Sequence, residues 1–150
     1  MNKFSKVLLI VVGVIAGIIV LLIILNNWAD STTEKISRDM EIGVQKIMIE
    51  EEAEIVYTIK NISQETQQVH SIDINSDAFK YAEFIGVNIK QINEYDSFGW
   101  RTFEFKKDVA PDETLEIKFD FKPKSADAHL INTDICINTL GTCIGRSFSF

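Results

Sequence analysis

Residues Val7–Leu25, VLLIVVGVIAGIIVLLIIL, run without a single charged or amide side chain. Nothing else in the chain limits its fate so tightly, because water offers an apolar stretch of this length few places to hide. As a helix rising about 1.5 Å per residue it reaches roughly 29 Å, against a bilayer hydrocarbon core of ~30 Å. A membrane-spanning helix is the expectation. Lys3 and Lys6 precede the run, and Asn26, Asn27, Trp28 and Asp30 follow it. The basic end belongs in the cytoplasm, the remainder outside, and Trp28 at the outer interface as an aromatic anchor. A cleavable signal peptide has a shorter apolar core and a small-x-small site. Here Asn27-Trp28-Ala29 has the wrong residue three back from the cut. An uncleaved signal anchor is therefore expected, and the absence of cysteine near the end of the run excludes lipoprotein processing. Gly13 and Gly17 stand four apart, a spacing that lets two membrane helices approach closely and allows a homodimer through that face.

The sequence thus divides into a cytoplasmic N-terminus (1–6), a signal anchor (7–25), a juxtamembrane linker or short helix (26–40) and one domain (41–150). The net charge is −7, and setting Lys3 and Lys6 aside leaves −9 on residues 26–150. An ectodomain this acidic repels nucleic acid and disfavours a broad footing on anionic lipid. Abundant Ile, Asn and Lys suit an AT-rich bacterial genome. In the linker, Ser31-Thr32-Thr33-Glu34 has the form of a capping box, and Ile36 and Met40 are its apolar face.

From Glu41 onward the apolar period becomes two, the signature of half-buried strands. Strands are expected over Glu41–Ile49, Ala53–Asn61, Gln67–Asn75, Gly86–Asn93, Phe98–Lys106, Thr114–Lys122, His129–Ile137 and Thr142–Phe150. The clearest is Thr114–Lys122, with Leu115, Ile117, Phe119 and Phe121 inward and Glu116, Lys118, Asp120 and Lys122 outward. Ser76–Phe84 has helical spacing, and Glu94–Ser97 reads as a polar loop. Asn138-Thr139-Leu140-Gly141 is a turn with glycine in the left-handed position, and counting outward from it sets Cys136 opposite Cys143. Opposed residues of an antiparallel pair lie close enough for a disulfide, and an extracytoplasmic site favours one.

Seven or eight short strands with turn signals between them imply an antiparallel β-sandwich of Ig-like type, about seven strands being usual for it. Tyr57–Ser63, then Val69–Ile74, then Ala110-Pro111-Asp112-Glu113-Thr114-Leu115-Glu116-Ile117 resemble the strand and turn layout of bacterial membrane-anchored Ig-like envelope domains. Asp112 stands where such domains more often carry glycine, and the inter-sheet Cys…Trp…Cys of antibody domains is missing. The resemblance implies an Ig-like sandwich and, by itself, no function.

Chemistry-bearing motifs are few. Cys136 and Cys143 are too widely spaced for a CxxC redox pair, and no further Cys or His completes a zinc set. His70 and His129 are the only histidines and stand far apart. Asp73-Ile74-Asn75-Ser76-Asp77 has the spacing that opens a calcium loop, but Ala78 replaces the required glycine and Phe84 the bidentate glutamate, so an EF-hand is rejected. A looser calcium site would use Asp73, Asn75, Asp77 and a remote carboxylate. Asn61-Ile62-Ser63 is a formal glycosylation sequon that here marks a turn. No nucleophile with a base, paired catalytic carboxylates or phosphate loop is visible, so no enzyme and no cofactor is expected. The expectation is a domain that acts by contact with another envelope protein. Tyr95, Phe98 and Trp100 are its candidate interaction surface, and a ligand-, cation- or cell-wall-binding module is the alternative.

Overall fold

The computed structural model describes residues 14–24, 34–124, 129–139 and 142–150. Two units are distinguished, one ending at Glu34 and one spanning Lys35–Phe150. In the first, residues 14–24 are helical throughout. Among the described residues no helix is long and apolar enough to cross a membrane. Of the anchor residues, Lys3, Lys6, Gly13 and Trp28 lie outside the described residues. So do the capping-box serine and both threonines. Gly17 sits in the helix with open space where a Cβ would be.

The second unit is a β-sandwich. Nine strands are described: β1 (Met40–Ile49), β2 (Glu52–Asn61), β3 (Gln67–Asn75), β4 (Ala82–Val87), β5 (Asn93–Ser97), β6 (Trp100–Val109), β7 (Thr114–Pro123), β8 (Leu130–Ile137) and β9 (Cys143–Ser149). They form a four-stranded sheet in the order β1-β2-β7-β4 and a five-stranded sheet in the order β5-β6-β3-β8-β9. Every pairing is antiparallel. The alternation that marked the strands in sequence sends one set of side chains between the sheets. Ile55, Tyr57 and Ile59 of β2 and Ile117, Phe119 and Phe121 of β7 meet Ile72, Ile74, Phe103, Ile131, Ile135 and Ile137 of the other sheet, all at most 1% exposed. Phe119 is the hub, with ring centroids 5.0 Å from Phe103, 5.6 Å from Tyr57 and 6.2 Å from both Phe84 and Phe105. A short helical stretch over 34–39 leads into β1, and its Ile36, with Met40, is buried in the core.

Three expectations need correction. The helical reading of Ser76–Phe84 shrinks to one turn, Ala78–Tyr81, after which the chain becomes β4. Phe84 is a strand residue, drawn inward by Phe103, Phe119 and Phe121, and pairing with β7 supplies hydrogen bonds that so short a helix lacks. The strand expected over Gly86–Asn93 ends at Val87, and the supposed polar loop Glu94–Ser97 is strand β5. Its acids are accommodated because Glu94 and Asp96 share Arg101 on β6, at 3.8 and 3.0 Å.

The turns follow local chemistry. Asp112 adopts φ 62°, so the position where Ig-like envelope domains favour glycine is left-handed here, and aspartate tolerates it. Asn138 is left-handed in the β8–β9 turn at φ 63°, while Leu140 and Gly141, the glycine expected to be left-handed, lie outside the described residues. Cys136 and Cys143 are register partners and form a disulfide.

Because Phe119 contacts aromatic rings from both sheets, Phe119→Ala should lower the unfolding free energy by about 3–5 kcal/mol in urea titrations, with the slope unchanged.

Candidate functional site

The β5–β6 hairpin carries all three aromatics singled out in sequence. Ser97 pairs with Trp100, leaving Phe98 and Gly99 as a two-residue turn. Both have positive φ, 49° and 83°, the form that matches the twist of a hairpin. Glycine suits this conformation, and asparagine tolerates it. A bulky phenylalanine there is strained. Phe98 is also fully exposed, at 102% of its reference area. It therefore spends conformational energy at the tip without packing against any of the described residues. Tyr95 and Trp100 occupy diagonal positions on the outer face of the sheet, since their partners Thr102 and Ser97 share that face. Both are half-buried and stand apart from the core cluster.

The same outer face continues across β6, β3, β8 and β9. Reading across the register, Tyr95 lies opposite Thr102, Thr102 opposite Asp73, Asp73 opposite Asp134, and Asp134 opposite Gly145. The next row is Asn93, Glu104, Ser71, Cys136 and Cys143. Two carboxylates thus face each other directly on central strands, an arrangement that like charge disfavours. Burial pushes the ionisation of Asp73 above the ordinary carboxylate range, and the charge of Asp134 adds to this. Hydroxyls of Thr102 and Ser71 beside the carboxyl, and the charge of His70, oppose it. Burial raises Asp134 as well. Asp73 Oδ1 is buried without a hydrogen-bond donor, and Ser71 Oγ, on a residue 0% exposed, is buried beside it without reaching bonding geometry. Gly145 leaves Asp134 room, and a shallow open depression of about 300 Å³ lies there, lined by Asn132, Thr133, Asp134, Gly145, Arg146 and Ser147.

Nearby groups are otherwise engaged. Lys106 Nζ, 2.7 Å from Glu104 Oε1, holds that carboxyl below its ordinary range, and His70 Nε2 approaches the same oxygen at 3.6 Å. Cys136 Sγ lies 3.6 Å from Asp73 Oδ2. Asp73, Cys136 and Cys143 thus cluster with metal-ligand spacing, but the sulfurs are bonded to each other and offer no thiolate. The looser calcium set from sequence does not converge. Asn75 Oδ1 accepts the Asp77 amide at 2.9 Å, and Asp77 pairs with Lys80 at 2.6 Å. His129 stacks on Tyr81 at 3.6 Å between centroids, away from His70 in the fold. Sequence reasoning missed Asp134, which only the β3–β8 register brings to Asp73, and Ser71, which the two-residue period of β3 already set on the same face.

The chain matches no protein-family model and no curated protein. Among solved structures it is similar to the chitin-binding domain of a chitinase from Pyrococcus furiosus, with TM-score 0.42 and 15% identity over 70% of this chain and 97% of that one. It is also similar to part of a GH20 exo-β-N-acetylglucosaminidase from Vibrio harveyi, with TM-score 0.42 and 8% identity over 73% of this chain, which spans 17% of that enzyme. A third likeness is to a FixG-related protein from Vibrio parahaemolyticus, with TM-score 0.37 and 12% identity over 75% of this chain and 94% of that one. Scores of this size leave the reading of the site to its own geometry.

The opposed acids make a signed prediction. For a carboxylate raised by folding, the stabilisation is full below the unfolded value near 3.9 and is lost as pH rises through the folded one. Asp134→Asn removes both like-charge opposition and desolvation, so in EDTA at pH 7 it should be more stable than wild type by about 0.2–1 kcal/mol. Melting curves across pH should show that gap closing as the pH falls towards 4.

Proposed function

We propose that this chain is a single-pass, membrane-anchored extracytoplasmic interaction domain of Ig-like type, with a cytoplasmic N-terminus, serving as an accessory or assembly subunit of an envelope complex. It performs no catalysis and uses no cofactor. The observation that carries this reading is Phe98, a strained and fully exposed aromatic on a hairpin that also bears Tyr95 and Trp100. Strain retained at a surface position points to a use outside the fold, and aromatic anchors dominate binding energy at protein interfaces. Support for the anchor comes from the apolar run itself. Within 14–24 every large side chain is at least 51% exposed, an arrangement that lipid tolerates and water does not. The Ig-like assignment is supported by β2 and β7 pairing in one sheet while β3, β8 and β9 pair in the other.

A second reading, a ligand-, cation- or cell-wall-binding module, is favoured by the half-buried acids of the outer face.

The test of the first reading is purification of the full-length protein from its native membrane in mild detergent, in parallel with Phe98→Asn. Asparagine suits the turn, so the variant should melt at or above the wild-type temperature, by up to about 1 kcal/mol of added stability. Wild type should retain a stoichiometric membrane protein that the variant loses. Equal retention by both, or no partner with either, would overturn the reading.

A further inference from the structure

We propose that the outer face of the five-stranded sheet is a binding site for a hard divalent cation of the calcium type, held between the carboxylates of Asp73 and Asp134 with the hydroxyls of Ser71 and Thr102 beside them. The site stands whether or not the hairpin engages a partner.

The two acids lack what their neighbours have. Elsewhere on the domain, acids that approach a base use it: Glu54 meets Lys118 at 3.4 Å, Glu51 meets Lys122 at 3.7 Å, Glu104 meets Lys106, and Glu94 and Asp96 share Arg101. Asp73 and Asp134 have no basic side chain within ion-pair distance among the described residues, although they oppose each other directly. The second observation is independent of their charge. Ser71, fully buried on the same strand and face, sets its hydroxyl near enough to Asp73 to favour the ionised carboxylate but outside hydrogen-bonding geometry, and Asp73 Oδ1 is buried without a donor. Thr102, 4% exposed, adds a hydroxyl from the opposite side. Such a group of oxygens supplies lone pairs and wants positive charge. The raised ionisation of both acids is what an empty cation site would show.

The chemistry selects the class of ion. Soft metals would need the sulfurs of Cys136 and Cys143, which are spent in their mutual bond. Oxygen ligands suit calcium or magnesium. Calcium accepts irregular shells filled out by water, whereas magnesium demands near-ideal octahedral geometry, so a half-open strand face favours calcium. Gly145 is part of the same design. A Cβ there would stand 3.4 Å from Asp134 Oδ1, at the margin of tight contact.

The experiment uses the full-length protein in mild detergent, stripped with EDTA, and follows melting temperature and calorimetric heat as calcium chloride or magnesium chloride is added. Extracellular calcium modules bind at ~10⁻⁴–10⁻³ M, so about 10 mM should saturate the site and raise the melting temperature by roughly 3–8 °C. Magnesium should act more weakly. Asp73→Asn and Asp134→Asn should each weaken binding at least about tenfold, as expected when one of two charged ligands is lost. Asp134→Asn is expected to be the more stable apo-protein, so its loss of response cannot be charged to unfolding. Asp77→Asn should bind like wild type. No saturable response in wild type, a response that survives both Asp73→Asn and Asp134→Asn, or one abolished by Asp77→Asn would overturn the proposal.

Discussion

The side chain of Asn61 is the tie on which the rest of the sandwich depends. It is wholly buried at the end of β2, where an amide must find every partner inside the protein. Its Nδ2 donates to the carbonyls of Glu65 and Val109, both at 2.8 Å, and its Oδ1 accepts from the amide and hydroxyl of Ser63 at 3.0 and 2.8 Å. The backbone of the same residue bonds Glu113 and Asp112 across the β6–β7 turn. One residue therefore fixes two connections that each cross between the sheets. Asn138 repeats the device nearby, with Oδ1 taking the Gln68 amide and Nδ2 donating to Gln67. Packing of the core presupposes these ties, because β2, β3, β6 and β7 must enter it at the right height for Phe119 to meet Phe103.

The two faces of the five-stranded sheet obey different rules. The inner one is apolar and fully shielded, and the hydrophobic effect fixes its register, since a one-residue slip would turn every buried chain outward. The outer one is polar yet far from fully solvated, with Ser71 and Cys136 at 0% exposure and Thr102 at 4%. Small residues set among larger neighbours lose their water even without a covering layer. This is how an outward-facing aspartate can feel a partly apolar environment.

What sequence revealed follows from which interactions are local. Gln67–Asn75 was legible at both ends, and Thr114–Lys122 missed its observed end by one residue, because alternation and flanking turn chemistry both lie within the segment. The disulfide was legible because its hairpin is short. The swap of strand and loop around 86–97 was not. Val87 and Ile89 suggested a strand, while the pairing of β5 rests on Arg101 and on a two-residue turn with an atypical phenylalanine. The outer-face acids were invisible for a deeper reason. Asp73 was noticed within a local calcium-like spacing, but Asp134 lies far along the chain, and only tertiary register sets the two opposite. Tyr95, Phe98 and Trp100 drew attention as aromatics near a loop, and the structure gathers them on one hairpin.

The tie at Asn61 also bears on how such a domain can be made. Asn61-Ile62-Ser63 carries the acceptor pattern that oligosaccharyltransferase reads on a nascent chain, before any strand has closed. A sugar on Nδ2 would occupy the nitrogen that two buried carbonyls need, and would do so at a point with no room for it. Glycosylation there would set the sugar against the innermost hydrogen bonds of the fold, whereas any synthesis that leaves the amide bare keeps them.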